Sequence, residues 1–197
     1  MSMGDVPDIS EAEDKDRAKW IGVYIGALAV LLAICSMLGS NSTKDATRAN
    51  IEASNAYAFY QARNIRQLAL RNQSEHLETM LAAFPNLPVE AKKTLGDRIK
   101  EHKATADRYE SDPKENDGKK ELLAKARTLE AERDVALRRD PYYDLAQALL
   151  QIAIVLGSVA IITGGHPVLI ASGASAALGV LMLINGTFLL LNVPGLG

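Results

Sequence analysis

Residues 145–191 form an almost uncharged block, interrupted only by Thr163-Gly164-Gly165-His166-Pro167. Two apolar runs of this length with a breaker between them read as a pair of membrane-spanning helices joined by a tight turn. A matching run at residues 20–38 supplies a third span. Between the spans the apolar residues are diluted among polar ones, enough for helix seams but too few for a thick soluble core. The expected fold class is therefore all-α: three transmembrane helices, with a long helical, coiled-coil-like hairpin stalk inserted between the first and second spans. The expected divisions are an acidic mobile tail at 1–18, the first transmembrane helix at 19–39, a soluble helical stalk at 40–140 with breaks near 85–88 and 111–118, and a transmembrane hairpin at 141–193.

The formal net charge of −2 sums two unlike parts. Before the first span, three basic residues face six acidic ones, while the rest of the chain carries 19 basic and 18 acidic residues. A near-balance of that kind lacks the net basic field of a nucleic-acid groove, so no nucleic-acid partner is expected. The only cysteine, Cys35, lies inside the first span, which leaves no intrachain disulfide and no thiolate metal cluster. The first apolar run is longer than a signal-peptide core and is followed by Gly39-Ser40-Asn41 without a small-x-small cleavage pattern, so it reads as retained.

Trp20 and Tyr24 stand at the start of the first span, where amphipathic rings favour the headgroup level. Gly22 and Gly26 form a small-xxx-small pair that permits close helix packing, and Ala171, Ser175 and Gly179 repeat at the same spacing on the third span. Ser42-Thr43-Lys44-Asp45 has the form of a helix-starting capping box. From there to Phe84 no proline or glycine interrupts a helix-favouring sequence. Ile51, Ala58, Ala62, Ile65 and Ala69 fall at seam spacing, continued by Leu77, Leu81 and Phe84. Pro85-Asn86-Leu87-Pro88 ends that helix. A second runs over residues 89–109 with Leu95, Ile99, His102, Ala106 and Tyr109 on one face, and 111–118 is an exposed loop by its turn residues. A third begins at Lys119, carries Leu122, Ala126, Leu129, Ala136 and Tyr143 as its seam, and either continues into the second span or restarts at Pro141 with Asp140 as cap.

At 1.5 Å per residue these helices rise roughly 60, 30 and 37 Å, so the first is expected to ascend with the other two descending in tandem beside it. Basic residues near the span ends (Lys44, Arg48, Lys125, Arg127, Arg133, Arg138 and Arg139 against Lys15, Arg17 and Lys19) lean towards a cytoplasmic stalk.

Polar residues within the spans are the leading site candidates, because lipid leaves them without partners. Gln147 and Gln151 lie with Asp144 along one stripe, Ser158 follows on the same helix, and Ser172 and Asn185 mark the third span. They serve either as a polar path through an oligomer or as interhelical hydrogen bonds. Tyr57, Phe59 and Tyr60 with Arg63 and Arg66 resemble a stacking platform with cations, but on one isolated helix they read rather as a packing contact, within a bundle or as a partner surface. His76, His102 and His166 belong to no metal motif, and no phosphate loop, nucleophile elbow or carboxylate pair is present. No catalytic residue, metal, cofactor or small-molecule substrate is expected.

The segments Thr43-Lys44-Asp45-Ala46-Thr47-Arg48-Ala49-Asn50-Ile51-Glu52-Ala53-Ser54, Ala58-Phe59-Tyr60-Gln61-Ala62, Asn64-Ile65-Arg66-Gln67, Tyr109-Glu110-Ser111-Asp112-Pro113 and Arg138-Arg139-Asp140-Pro141-Tyr142-Tyr143 resemble an uncharacterised bacterial membrane family known only as a domain of unknown function. The resemblance covers nearly all of the chain outside the acidic tail. It implies a multi-pass bacterial inner-membrane (plasma-membrane) protein with three spans and brings no functional residues with it. The expected role is a membrane-anchored helical scaffold or accessory subunit in the lipid bilayer, acting as a homo-oligomer or bound to another membrane protein. The alternative is an oligomeric channel or small transport protein.

Overall fold

The computed structural model describes residues 9–193, with side chains from residue 15. It contains four helices, α1 (Ile9–Ala83), α2 (Val89–Glu110), α3 (Lys119–Thr163) and α4 (His166–Phe188), and no strand among the described residues. The all-α class follows. Three of the helices are long and apolar enough to cross a membrane: α1, α3 and α4. The breaks fall at Pro85-Asn86-Leu87-Pro88, at 111–118 and at Gly164-Gly165, where proline, glycine or turn-forming residues interrupt the helix-favouring pattern.

Two boundaries differ from the sequence expectation. Helix α1 begins at Ile9, so only residues 1–8 of the expected tail lie outside the described residues. Within its early turns Lys19 pairs with Asp16 at 2.7 Å. The expected helix start at Ser42 does not occur, because α1 runs straight through it. The hydroxyls that would cap a new helix are used otherwise: Thr43 Oγ1 donates to Gly39 O at 3.2 Å and Ser42 Oγ to Ala136 O at 2.8 Å. Of the two readings at Pro141 the continuous one holds, since α3 runs unbroken through it.

The chain divides into two compact units, one formed by residues 1–46 and 134–197 and the other by 47–133. In the first, α1, α3 and α4 pack as a three-helix bundle. Leu28, Cys35, Tyr143, Ala146, Leu150, Ala153 and Ala176 form its core, with Tyr24, Leu31, Leu32, Leu38, Ile154, Met182 and Leu183 against it. Contacts at Ser42–Ala136 and Cys35–Tyr143 show α1 and α3 running antiparallel. Ser172–Ala153 and Ser175–Leu149 show the same for α3 and α4.

Glycines let these helices approach closely. A Cβ at Gly186 would lie 3.0 Å from Tyr142 Cβ and from the Tyr143 ring, one at Gly179 would lie 3.1 Å from Leu150, and one at Gly157 would lie 3.1 Å from Ile25. Beyond α4, Leu189 takes a left-handed conformation (φ 51°) that turns the chain back. Asn185 holds this return at both its faces, donating to Leu191 O at 2.9 Å and accepting from Leu191 N at 2.8 Å. Tyr142 Oη joins it by donating to Leu191 O and accepting from Val193 N.

In the second unit, α1 pairs with α2 and then with the start of α3. The partners count down along α1 as they count up along the others: Glu78 with Lys103, Gln67 with Ala106, Arg63 with Asp117, Tyr57 with Glu130 and Asn50 with Arg133. Ile99 and Ala106 of α2 and Leu122 and Ala126 of α3 are buried, on the faces read from sequence. The face of α1 is a correction. Ile51, Ala58, Ala62, Ile65 and Ala69, read as its seam, are all exposed. The inward residues are instead Ala49, Ala53, Ala56, Gln67 and Ser74, all buried. Periodicity identifies stripes on a helix but not which stripe finds a partner, and here small and polar residues face the rest of the unit.

Candidate functional site

The polar residues of the spans do not gather into one path within the bundle. Ser172 is fully buried, donates to Ala153 O at 2.6 Å and lies 3.1 Å from Tyr24 Oη, so it ties the three helices together. Ser175 does the same for α3 and α4 through Leu149 O at 2.8 Å. Gln147 is half-buried beside Gly39, where a Cβ would lie 3.4 Å from its amide nitrogen. Gln151 and Ser158 face outward, and Ser158 Oγ returns its hydrogen to Ile154 O within its own helix. Of the small-residue stripe Ala171, Ser175, Gly179, the last two meet α3 and Ala171 is exposed. Gly22 and Gly26 are open: a Cβ at either would meet nothing within 4 Å.

The proposed platform residues divide in a similar way. Tyr57 donates to Glu130 at 3.0 Å, and this bond to a carboxylate pushes its phenol pKa up. The Arg63 guanidinium pairs with Asp117 and stacks 4.7 Å from the Tyr109 ring, while the Tyr60 ring lies 5.7 Å from Lys119 Nζ. These three serve contacts inside the unit. Phe59 and Arg66 stay exposed.

A polar junction where α2 gives way to α3 has no counterpart in the sequence reading. Gln67, buried on α1, donates to Ala106 O and to the Glu110 carboxylate, each at 3.0 Å, and accepts from Lys119 Nζ at 2.9 Å. Lys119 also reaches Glu110 at 3.3 Å. The hydrogen bonds from Gln67 and then Lys119 hold the Glu110 carboxyl below its ordinary range. Nearby, Glu121 accepts from Ser111 Oγ at 2.6 Å and from Asp112 N at 3.1 Å, and the Ser111 bond lowers its pKa in turn. Gly118 is required by space, since a Cβ there would fall 2.4 Å from Asp112 N and from Glu121 Oε2. The signal available in the sequence was Glu121 three residues after Gly118, the carboxylate position of a reciprocal helix start.

The histidines are dispersed: His76 is exposed, His102 is half-buried on its seam, and His166 opens α4. Among the described residues no group of three or more His, Cys, Asp or Glu side chains is placed to hold a metal ion. An open pocket of about 310 Å³ lies between the starting turns of α1 and the end of α3, lined by Arg17, Ile21, Ala160 and Ile162 among others. Arg17 there donates to Gly164 O at 2.9 Å, a cation placed at a helix C-terminus.

These features define an all-α protein with three helices fit to cross a membrane, in which Ser172, Ser175, Tyr57 and Gln67 join neighbouring helices. The chain belongs to the family described as Domain of unknown function (DUF4337), which matches residues 17–189. No curated protein and no solved structure matches it.

Proposed function

We propose that the protein is a membrane-anchored helical scaffold or accessory subunit, without catalytic chemistry of its own, that self-associates or docks to a larger membrane complex. In this reading it resides in a bacterial inner membrane, residues 40–140 form a helical hairpin stalk outside the bilayer on the cytoplasmic side, and its partners are helices. The observation that carries the reading is the open pair Gly22 and Gly26 on α1. Glycines at that spacing let a second helix approach closely, and neither is used for that purpose within the bundle. The glycines that do pack internally, Gly157, Gly179 and Gly186, have side chains from other helices within 3.1 Å of a would-be Cβ.

Replacing Gly22 and Gly26 by leucine in the full chain tests the reading. The complex extracted from native membranes is expected to lose subunits while the monomer keeps its helical content. An unchanged complex mass would remove the α1 face from the account. The channel reading draws its support from Gln151, whose carboxamide faces outward where a lipid environment would leave it without partners. It requires several copies to enclose a path, and Gln151→Leu would then reduce flux in liposomes without reducing assembly.

A further inference from the structure

The exposed stripe on α1 has a regularity beyond that of a scattered apolar surface. Ile51, Asn55, Ala58, Ala62, Ile65 and Ala69 follow one another at alternating steps of four and three, and all six are exposed. Such spacing keeps one narrow face of a helix turned towards a single partner helix running alongside. The stripe is separate from the face that α1 spends inside its own unit, where Ala49, Ala53, Ala56, Gln67 and Ser74 are buried. Helix α1 thus carries two seams, and only one is filled by the described residues.

We propose that this second seam is filled by α1 of a second copy of the protein, in a parallel and in-register pair over residues 51–69. The inference rests on the self-association reading and names the surface responsible. Three observations favour a copy over an unrelated helix. First, the stripe lies on the same helix as a segment fit to cross the membrane, so two copies inserted in the same direction carry it in the same chain direction. Second, the stripe is self-compatible. With Asn55, Ala62 and Ala69 at a positions and Ile51, Ala58 and Ile65 at d positions, each residue meets its own counterpart without bringing like charges together.

Third, the flanks agree with a parallel register. Ser54 and Gln61 at g positions would face Phe59 and Arg66 at the following e positions of the second copy, so no like-charge pair arises there either. Asn55 supplies the register device, because a single asparagine at an a position bonds to its twin only when the two helices are aligned. The seam is short, roughly 27 Å of helix, and would be weak between free helices. Anchoring both copies in one bilayer raises their effective concentration and makes a short seam sufficient.

Cysteine crosslinking of the full-length protein in native membranes tests the pairing, with buried Cys35 kept and the wild-type chain as background. Mild oxidation of Ala58→Cys or Ala62→Cys is expected to yield a species of twice the chain mass, several-fold above Asn64→Cys, which is exposed but off the stripe. Yields no higher than for Asn64→Cys, or bonding to a different protein, would overturn the proposal. Ala62→Glu is expected to abolish the dimer without lowering helical content, since it would place like charges against each other across the seam. If an oligomer persists unchanged in Ala62→Glu, the stripe assignment fails while self-association stands. A monomer in every measurement, wild type included, would overturn both.

Discussion

At Gly186 a Cβ would meet Tyr142 and the Tyr143 ring at 3.0 Å, whereas at Gly22 it would meet nothing within 4 Å. The two positions therefore respond oppositely to the same change. Gly186→Leu is expected to force α4 away from α3 and to cost about 1–3 kcal/mol, as overpacking of a fitted interface does. Gly22→Ala should leave monomer stability unchanged or raise it by up to about 1 kcal/mol, because alanine loses less backbone freedom in a helix. Thermal unfolding in detergent, followed by circular dichroism, compares the two. Equal responses would mean that the α3–α4 contact is looser than these distances imply.

Glu110 sets a pH dependence at the same scale. Its carboxyl is held below the ordinary value of 4.5 by hydrogen bonds from Gln67 and Lys119, so the stabilisation it brings is complete above that value and is lost as pH falls through the lowered one. Hydrogen exchange across the junction of α2 and α3 should accelerate as acid protonates this group, beyond the trend of the rest of the unit. In Glu110→Gln that additional acid dependence should disappear. Its persistence would assign the effect to another carboxylate, with Glu121, also lowered, as the nearest candidate.

At the scale of elements, the sequence already contained the helix breaks. The Pro85-Asn86-Leu87-Pro88 and 111–118 interruptions, the glycine turn before α4 and the three apolar runs are local chemistry, and each acts where it stands. What required the structure was the choice between competing local options. Ser42-Thr43-Lys44-Asp45 reads equally as a cap or as helix interior, and the acceptor that decides for Ser42, Ala136 O, lies 94 residues away in the chain. The stripe of Ile51 and Ile65 looked like the buried seam because it is more apolar than the one actually used. The used seam contains Gln67, whose partners Ala106, Glu110 and Lys119 come from distant segments. The division of Tyr57, Tyr60 and Arg63 from Phe59 and Arg66 was hidden for the same reason.

Two substitutions test the elements directly. Thr43→Pro would remove a helix-interior hydrogen bond and crowd the preceding turn of α1, at a cost of about 3 kcal/mol, where a true helix start would accept proline readily. Gly118→Ala should loosen the turn between α2 and α3, because its Cβ would displace Asp112 N and Glu121 Oε2 from positions 2.4 Å away. Limited proteolysis within 111–118 is the readout, and an unchanged cleavage rate would show that the turn can relax around the added methyl group.

At the scale of the whole molecule, three helices fit to cross a membrane combine with two α1 surfaces that none of the described residues covers: Gly22 with Gly26, and the stripe from Ile51 to Ala69. Ser172 and Gln67 spend their polar groups on joints between helices, and Asn185 holds the return after α4. The proposed role is assembly through those two surfaces. The most direct measurement is native mass spectrometry of the full chain gently extracted from its own membrane, with every protein in the complex identified. A defined assembly is expected, either a homo-oligomer or a complex with other membrane proteins, that loses subunits when Gly22 and Gly26 are replaced by leucine. A chain that emerges as a monomer bound only to lipid would contradict it.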